Sequence, residues 1–215
     1  MNRPPKLYDY CTDGAEIYRQ SFAMIRAEAD LSALPEAART VAVRMIHASG
    51  DVTLADALAF HPRLVAAARS ALQAGRPVLT DATMIASGVT RARLPRDNQV
   101  LCYLRDPSVP GLAKQWQTTR SAAAVSLWQE HLDGAVVAIG NAPTALFQLL
   151  EMIAAGGPRP AAIVGVPVGF VGSAESKQAL VANPFDIPYL VVHGRRGGSA
   201  LAASAINALA QEREI

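Results

Sequence analysis

The 215-residue sequence is poor in the groups that form disulfide frameworks, metal clusters and membrane spans. Its two cysteines, Cys11 and Cys102, lack CxxC spacing, and we expect them to be free thiols in a reducing compartment. The four histidines show no spacing typical of zinc ligands. No run approaches the roughly 18 consecutive apolar residues of a membrane helix, and the N-terminus lacks the apolar core of a signal peptide. These absences predict a soluble cytoplasmic protein without a metal site.

Motifs for nucleotide binding and for a nucleophilic serine are also missing. The sequence contains no GxxxxGK[ST], GxGxxG or GxSxG pattern. The net charge is +2 and no basic run occurs, which argues against nucleic-acid binding. Arginine nevertheless supplies 17 of the 20 basic residues. Two explanations stay open: a GC-rich genome, or a ligand with several carboxylates, which arginine binds through paired hydrogen bonds.

Short apolar runs alternate with longer helical stretches from residue 77 onward. The runs lack polar alternation, which is typical of strands buried on both faces. The predicted strands are 77–80, 99–103, 135–139, 161–164 and 189–192; the predicted helices are 14–28, 35–48, 62–74, 107–132, 143–155, 173–181 and 199–211. This rhythm predicts an α/β protein with one doubly wound domain over residues 1–215, a mostly parallel five-stranded sheet and a helical N-terminal third.

One candidate for proton chemistry lies in the helical third. His47 is in the last turn of the helix predicted to end before Gly50, where the helix dipole favours a cation. The apolar stripe of this helix runs from Ala38 to Ala48, and His47 lies on a different face. An imidazole exchanges a proton near neutral pH. The alternative, an imidazole that only satisfies carbonyls at the helix end, stays open.

The loops that follow the strands carry further polar candidates, since ligands of open parallel sheets bind beyond the carboxyl ends of the strands. The glycine-rich loop 165–173 permits close backbone approach, and Ser173 is placed to cap the next helix. The loop 193–199 adds Arg195 and Arg196. A plain turn and solvated surface charge are the respective alternatives.

Two more arginines follow earlier strands. Arg91 comes after the first predicted strand. Arg120 is predicted to lie inside a helix of small residues, where an arginine usually has a carboxylate partner on the protein or on a ligand.

Several segments together resemble the precorrin-8X methylmutases. In chain order these are 8–10 (YDY), 13–22 (DGAEIYRQSF), 44–50 (RMIHASG), 88–91 (GVTR), 119–123 (TRSAA), 138–146 (AIGNAPTAL), 165–176 and 195–200. The matches follow in order over nearly the whole chain, so the resemblance is more specific than any single motif.

The resemblance implies a flavodoxin-like fold, a homodimer and no cofactor. It implies an isomerase of cobalamin biosynthesis that moves a methyl group from carbon 11 to carbon 12 of a tetrapyrrole-derived polycarboxylate, precorrin-8X, to give hydrogenobyrinate. It further implies that His47 is the catalytic proton donor and acceptor and that Ser21 binds substrate. Our own assignments as binders of substrate carboxylates are Arg91, Arg120, Asn141 and Arg195.

Two other functions remain as alternatives. A non-catalytic carrier of the same corrinoid would share every arginine and differ only in the use of His47. An unrelated flavodoxin-like enzyme could act on a small phosphorylated ligand, although the missing phosphate motifs count against it. The sequence leaves open whether the substrate is metal-free or already contains cobalt.

Overall fold

The computed structural model describes residues 4–213, which form one six-stranded sheet with helices on both faces. The strand order is β1-β6-β5-β4-β2-β3, and only β1 runs antiparallel to its neighbour. Counted along the chain, the five parallel strands lie in the order second, first, third, fourth, fifth. This is the doubly wound order of flavodoxin-like proteins, so the predicted fold class is confirmed.

The helices and strands have the following bounds. The helices are α1 (Gly14–Glu28), α2 (Glu36–Ser49), α3 (Leu64–Gln73), α4 (Thr83–Gly88), α5 (Val109–Gln115), α6 (Arg120–Ser126), α7 (Pro143–Ala154), α8 (Ser173–Val181) and α9 (Ser199–Ala210). The strands are β1 (Leu58–Phe60), β2 (Val78–Thr80), β3 (Val100–Leu101), β4 (Val136–Ile139), β5 (Ala162–Gly165) and β6 (Tyr189–Val192). Two 3-10 turns cover Val52–Ala57 and Arg91–Arg93.

Alternate residues of the central strands pack against different helix layers. In β4, Val136 and Ala138 belong to the cluster that includes α1, α2, α3 and α9. Val137 and Ile139 belong to the cluster that includes α7 and α8. All four side chains are fully buried, and burial of one such side chain contributes roughly 1.5–3 kcal/mol. The absence of polar alternation in these runs therefore reflects a sheet covered on both faces.

Helix α9 packs against both the sheet and α2. Its small residues allow the helix to lie close to the sheet. A Cβ added at Gly140, which follows β4, would come within 2.9 Å of the Cβ of Ala202 in α9. The end of α2 lies beside the loop that begins α9, because the Arg196 guanidinium there contacts Asp51 just after α2. The last turn of α2, with His47, is thus near the carboxyl edge of the sheet.

Several details of the expected secondary structure were wrong, and helix α4 was not predicted. The sheet has a sixth strand, β1, which pairs antiparallel with β6. The helix predicted over 107–132 is two shorter helices, because Gln117 adopts a left-handed conformation (φ 52°) and Thr119 caps a new helix through the Ala122 N–H. Arg120 is consequently the first residue of α6, near the start of a short helix, and it is exposed.

Two side-chain expectations also need correction. Ser173 does not cap α8: its buried hydroxyl donates to the Pro167 carbonyl, and Gly172 stands at the cap position. Ala48, placed on the apolar stripe of α2, is exposed, whereas Val43 is buried. Helix α2 therefore packs on two sides, against α9 and against α1.

Candidate active site

A hydrogen bond joins α1 to the last turn of α2. The Ser21 hydroxyl lies 2.7 Å from Nδ1 of His47, and both side chains are partly buried. Two aromatic rings of α1 pack on the imidazole, with centroid distances of 5.2 Å for Tyr18 and 5.4 Å for Phe22. The imidazole plane is therefore held by two rings and by one hydrogen bond to Nδ1.

His47 opens onto a pocket of about 340 Å³ between α1 and the end of α2. Its lining is mostly apolar, with a few polar groups, as is usual for sites that bind an organic ligand. The lining residues are Ile17, Gln20, Ser21, Met24, Ile25, Glu28, Ile46, His47, Gly50 and Val52. The arrangement places a proton-exchanging group against an apolar surface.

A second pocket of about 370 Å³ lies on the other side of the turn that follows α2. Ser49 and Asp51 of this turn line the second pocket, whereas Gly50 and Val52 line the first. Arg195 also lines the second pocket, with its guanidinium carbon 5.0 Å from the centre of the Phe170 ring. That ring is 82% exposed. The turn thus separates the His47 imidazole from the exposed Arg195 guanidinium.

Arg195 and its neighbour Arg196 differ in how they are held. The Arg196 guanidinium donates to Asp51 Oδ2 at 2.9 Å, to Thr53 Oγ1 at 2.9 Å and to the Thr53 carbonyl at 3.1 Å. Hydrogen bonds from Thr53, together with the nearby Arg196 guanidinium, lower the pKa of Asp51 from its ordinary value. Among the described residues, the Arg195 guanidinium contacts the Phe170 ring and forms no hydrogen bond or ion pair, and the residue is exposed.

A protein carboxylate occupies the switch point of the sheet, between the carboxyl ends of β2 and β4. Asp81 is 3% exposed and accepts hydrogen bonds from the N–H groups of Gly140, Asn141 and Ala142, just before α7. Burial raises the pKa of Asp81 to about 6, against the opposing effect of these N–H groups. The usual ligand position of doubly wound folds is therefore filled from within.

The remaining predicted binders lie apart from the two pockets. Arg120 donates to the Leu104 carbonyl at 3.3 Å, and its neighbour Thr119 bonds Thr144 of α7. Asn141 is exposed at the start of the same α7, so it lies at the same end of the sheet. Arg91 is exposed in the turn after α4. Within residues 4–213, no contact connects these three side chains with Ser21 or His47.

Neither a metal site nor a membrane helix is found in the part of the chain that the structure describes. No group of three or more His, Cys, Asp and Glu converges there, and no helix there is long and apolar enough to cross a membrane. Cys11 and Cys102 are both free thiols.

Comparison with known proteins decides the family. The family model of precorrin-8X methylmutase matches residues 16–212. A precorrin-8X methylmutase from Sinorhizobium sp. is 59% identical over 204 residues, or 95% of this chain and 97% of that protein. The chain belongs to the precorrin-8X methylmutase family. A relative of the same name from Pseudomonas aeruginosa is 58% identical, with 97% of this chain and 100% of that protein covered.

Solved structures and more distant relatives agree with this placement. The structure of the precorrin-8x methyl mutase from Thermus thermophilus matches with a TM-score of 0.83 and 41% identity, over 92% of this chain and 95% of that chain. A cobalt-precorrin-8 methylmutase from Priestia megaterium is 34% identical over 90% of this chain and 86% of that protein. The chain is thus an enzyme of a methylmutase family, which consists of isomerases of cobalamin biosynthesis that catalyse a methyl migration.

Several further side chains were not among the candidates named from the sequence. Tyr18 and Phe22 are one helical turn apart, and that spacing, with Ser21 between them, was an available signal for a ring cluster on α1. Lys177 is fully buried and donates to the Arg196 carbonyl at 2.8 Å. No local pattern marks Lys177 or the buried carboxylate of Asp81, because their partners lie far away in sequence.

Proposed function

We propose that this chain moves the methyl group of precorrin-8X from carbon 11 to carbon 12, giving hydrogenobyrinate, with His47 as proton donor and acceptor. The observation that carries the proposal is the Ser21–His47 hydrogen bond at the mouth of an apolar pocket. A methyl shift within one molecule consumes no second substrate, so the protein has to supply positioning and proton transfer.

From this hydrogen bond we infer which nitrogen of His47 exchanges the proton. An imidazole that gives and takes a proton at Nε2 keeps a proton on Nδ1. With Nδ1–H donating to the Ser21 hydroxyl, Nε2 is left for the ligand. Proton transfer from Nε2 makes the conjugated macrocycle electron-poor at carbon 12. The methyl group then leaves carbon 11 and bonds to carbon 12, and the proton returns to His47.

The carboxylates of the macrocycle need cations and N–H donors away from His47. We assign Arg195, beside the second pocket, to one carboxylate, because the residue is exposed and its guanidinium lies over the Phe170 ring without a polar partner among the described residues. A macrocycle is larger than either pocket, so it would lie across the turn that separates them. Arg91, Arg120 and Asn141 are assigned to carboxylates that extend further, and Ser21 to the substrate edge next to His47.

We further infer that the substrate is metal-free and that no cofactor takes part. Two relatives that are 58–59% identical bear the name of the metal-free substrate. The relative from Priestia megaterium that bears the name of the cobalt substrate is 34% identical. Turnover assays with the metal-free and the cobalt-containing substrate test the inference about the metal. Faster turnover of the cobalt-containing substrate would contradict it.

An absorbance assay tests the function, because methyl migration changes the conjugation of the macrocycle. His47→Ala is expected to lower turnover of precorrin-8X by about 10²- to 10⁴-fold, the usual contribution of general acid–base catalysis. His47→Ala should still bind hydrogenobyrinate, as measured by titration. His131→Ala is the matched control, since His131 stacks on Tyr103, in the other helix layer.

Two outcomes would contradict the proposal. Near wild-type turnover by His47→Ala would show that another group transfers the proton. Binding without turnover by the wild-type protein would indicate a corrinoid carrier.

We also propose that residues 1–215 form a single domain that acts as a cytoplasmic homodimer. Apolar side chains before and along α1 are uncovered: Leu7 is 82% exposed, Tyr8 77% and Met24 60%. We assign these side chains to the interface between the two copies, because apolar patches on a surface commonly mark protein interfaces. Sedimentation at micromolar concentration should show a dimer, and a monomer under those conditions would contradict the proposal.

A further inference from the structure

Arg196 is held at both of its ends by residues from different parts of the chain. Its guanidinium is bound by Asp51 and Thr53, which follow α2. Its carbonyl accepts a hydrogen bond from Lys177 of α8. We call this arrangement, formed by Asp51, Thr53, Lys177 and Arg196, the Arg196 clamp. It connects the loop that carries Arg195 to the helix that carries His47.

Lys177 is an unusual residue to find at one end of this clamp. Its side chain is fully buried, and no carboxylate of the described residues forms an ion pair with it. Burial lowers the pKa of Lys177 to about 8. An ammonium group in such surroundings costs stability, so its contact with the Arg196 carbonyl points to a use other than packing.

The backbone of the loop leaves little freedom around the clamp. A Cβ at Gly197 would collide with the Val166 carbonyl oxygen, and the Gly198 N–H donates to that oxygen at 2.9 Å. The Arg195 carbonyl accepts from the Gly169 N–H at 3.2 Å. Arg195 thus stands between a fixed glycine pair and the clamped Arg196, and its guanidinium lies over the ring of Phe170.

We propose that Lys177 and Asp51 are positioning residues, which hold the carbonyl and the guanidinium of Arg196 so that Arg195 faces a carboxylate of the macrocycle. This inference rests on the carboxylate-binding role proposed for Arg195. Neither residue touches the reacting atoms. Both act on affinity through the position of Arg195, whereas His47 acts on the rate of the chemical step.

A double-mutant cycle tests the clamp on the full chain, with hydrogenobyrinate as the titrated ligand. The single variants are Lys177→Met, Asp51→Asn and Arg195→Ala, and each of the first two is also combined with Arg195→Ala. Asp133→Asn, which changes a charge near the amino end of β4, is the matched control. Circular dichroism establishes that each variant is folded.

Arg195→Ala should weaken affinity by about 10- to 150-fold, the worth of a charge-assisted hydrogen bond. Lys177→Met and Asp51→Asn should each weaken it by at least about threefold, as expected for residues coupled through a shared partner. Neither should weaken it further once Arg195 is alanine. Turnover at saturating substrate should stay within about twofold of wild type in both single variants, because the chemical step does not pass through the clamp.

Equal effects in the presence and absence of Arg195 would overturn the clamp and leave the role of Arg195 intact. Unchanged affinity in Lys177→Met and Asp51→Asn, with weaker binding in Arg195→Ala, would also overturn the clamp and leave the role of Arg195 intact. Unchanged affinity in Arg195→Ala would overturn the proposed role of Arg195 itself. If Lys177→Met does not fold, Asp51→Asn still tests the clamp. This variant should fold, because the Asp51 side chain is 42% exposed and asparagine has nearly the same shape as aspartate.

Discussion

Removal of the Ser21 hydroxyl should slow the reaction by weakening the orientation of His47. The hydroxyl lies 2.7 Å from Nδ1, and a hydrogen bond to an imidazolium is worth about 1.5–3 kcal/mol. Ser21→Ala should therefore lower kcat by about 10- to 150-fold, less than the loss expected for His47→Ala. The two rings of α1 remain in contact with the imidazole, which limits the loss. Absorbance-detected turnover at saturating substrate measures it.

A double variant separates the two roles that Ser21 could have. If Ser21 acts by orienting the imidazole, Ser21→Ala should have no further effect once His47 is alanine. If Ser21 binds the substrate directly, Ser21→Ala should raise KM and lower activity further when His47 is already alanine. Ser126→Ala is the control, because its hydroxyl bonds the Ala123 carbonyl within α6, away from α1. A further loss in the double variant would refute orientation of His47 as the sole role of Ser21.

Two more predictions concern a cation and a buried acid. Arg120→Ala should weaken hydrogenobyrinate binding about 10- to 150-fold. The hydrogen bond from Arg120 to the Leu104 carbonyl is long, at 3.3 Å, so the guanidinium can exchange it for a substrate carboxylate. Unchanged affinity in a titration would show that Arg120 does not bind the substrate. The pKa of Asp81 is raised to about 6 from 3.8, so the folded protein binds the extra proton between these values. The free energy of unfolding should accordingly fall by about 2 kcal/mol relative to Asp81→Asn as the pH rises from 4 to 6. Urea titrations at both pH values measure the free energy of unfolding of the wild type and of Asp81→Asn. A difference between the two proteins that does not change with pH would mean that the N–H groups offset the effect of burial on the pKa of Asp81.

The elements that could be predicted are those whose signal is local. The buried strands are uniform apolar runs, and Gly50, with φ 66°, ends α2 where a left-handed residue is needed. Those features place His47 in the last turn of a helix without knowledge of the fold. The same reasoning failed at Gln117, because no glycine or proline marks the left-handed residue that divides α5 from α6.

The parts of the site that depend on distant partners could not be predicted. Arg195 and Arg196 are adjacent and chemically equivalent in the sequence, and only an ion pair across 145 positions shows that Arg196 is engaged by Asp51. Asp81 contacts N–H groups about 60 positions later. Strand β1 has three residues, too few to display a pattern, and is defined by its pairing with β6.

The two margins of the sheet limit how copies of this protein can associate. One margin is β1, a strand of three residues, and the other is β3, which has two. A continuous sheet across two molecules needs a longer row of free N–H and C=O groups than either offers. The proposed homodimer would then depend on side-chain shape and apolar surface, so we expect substitutions in the exposed residues of α1 to affect its assembly without disturbing the sheet.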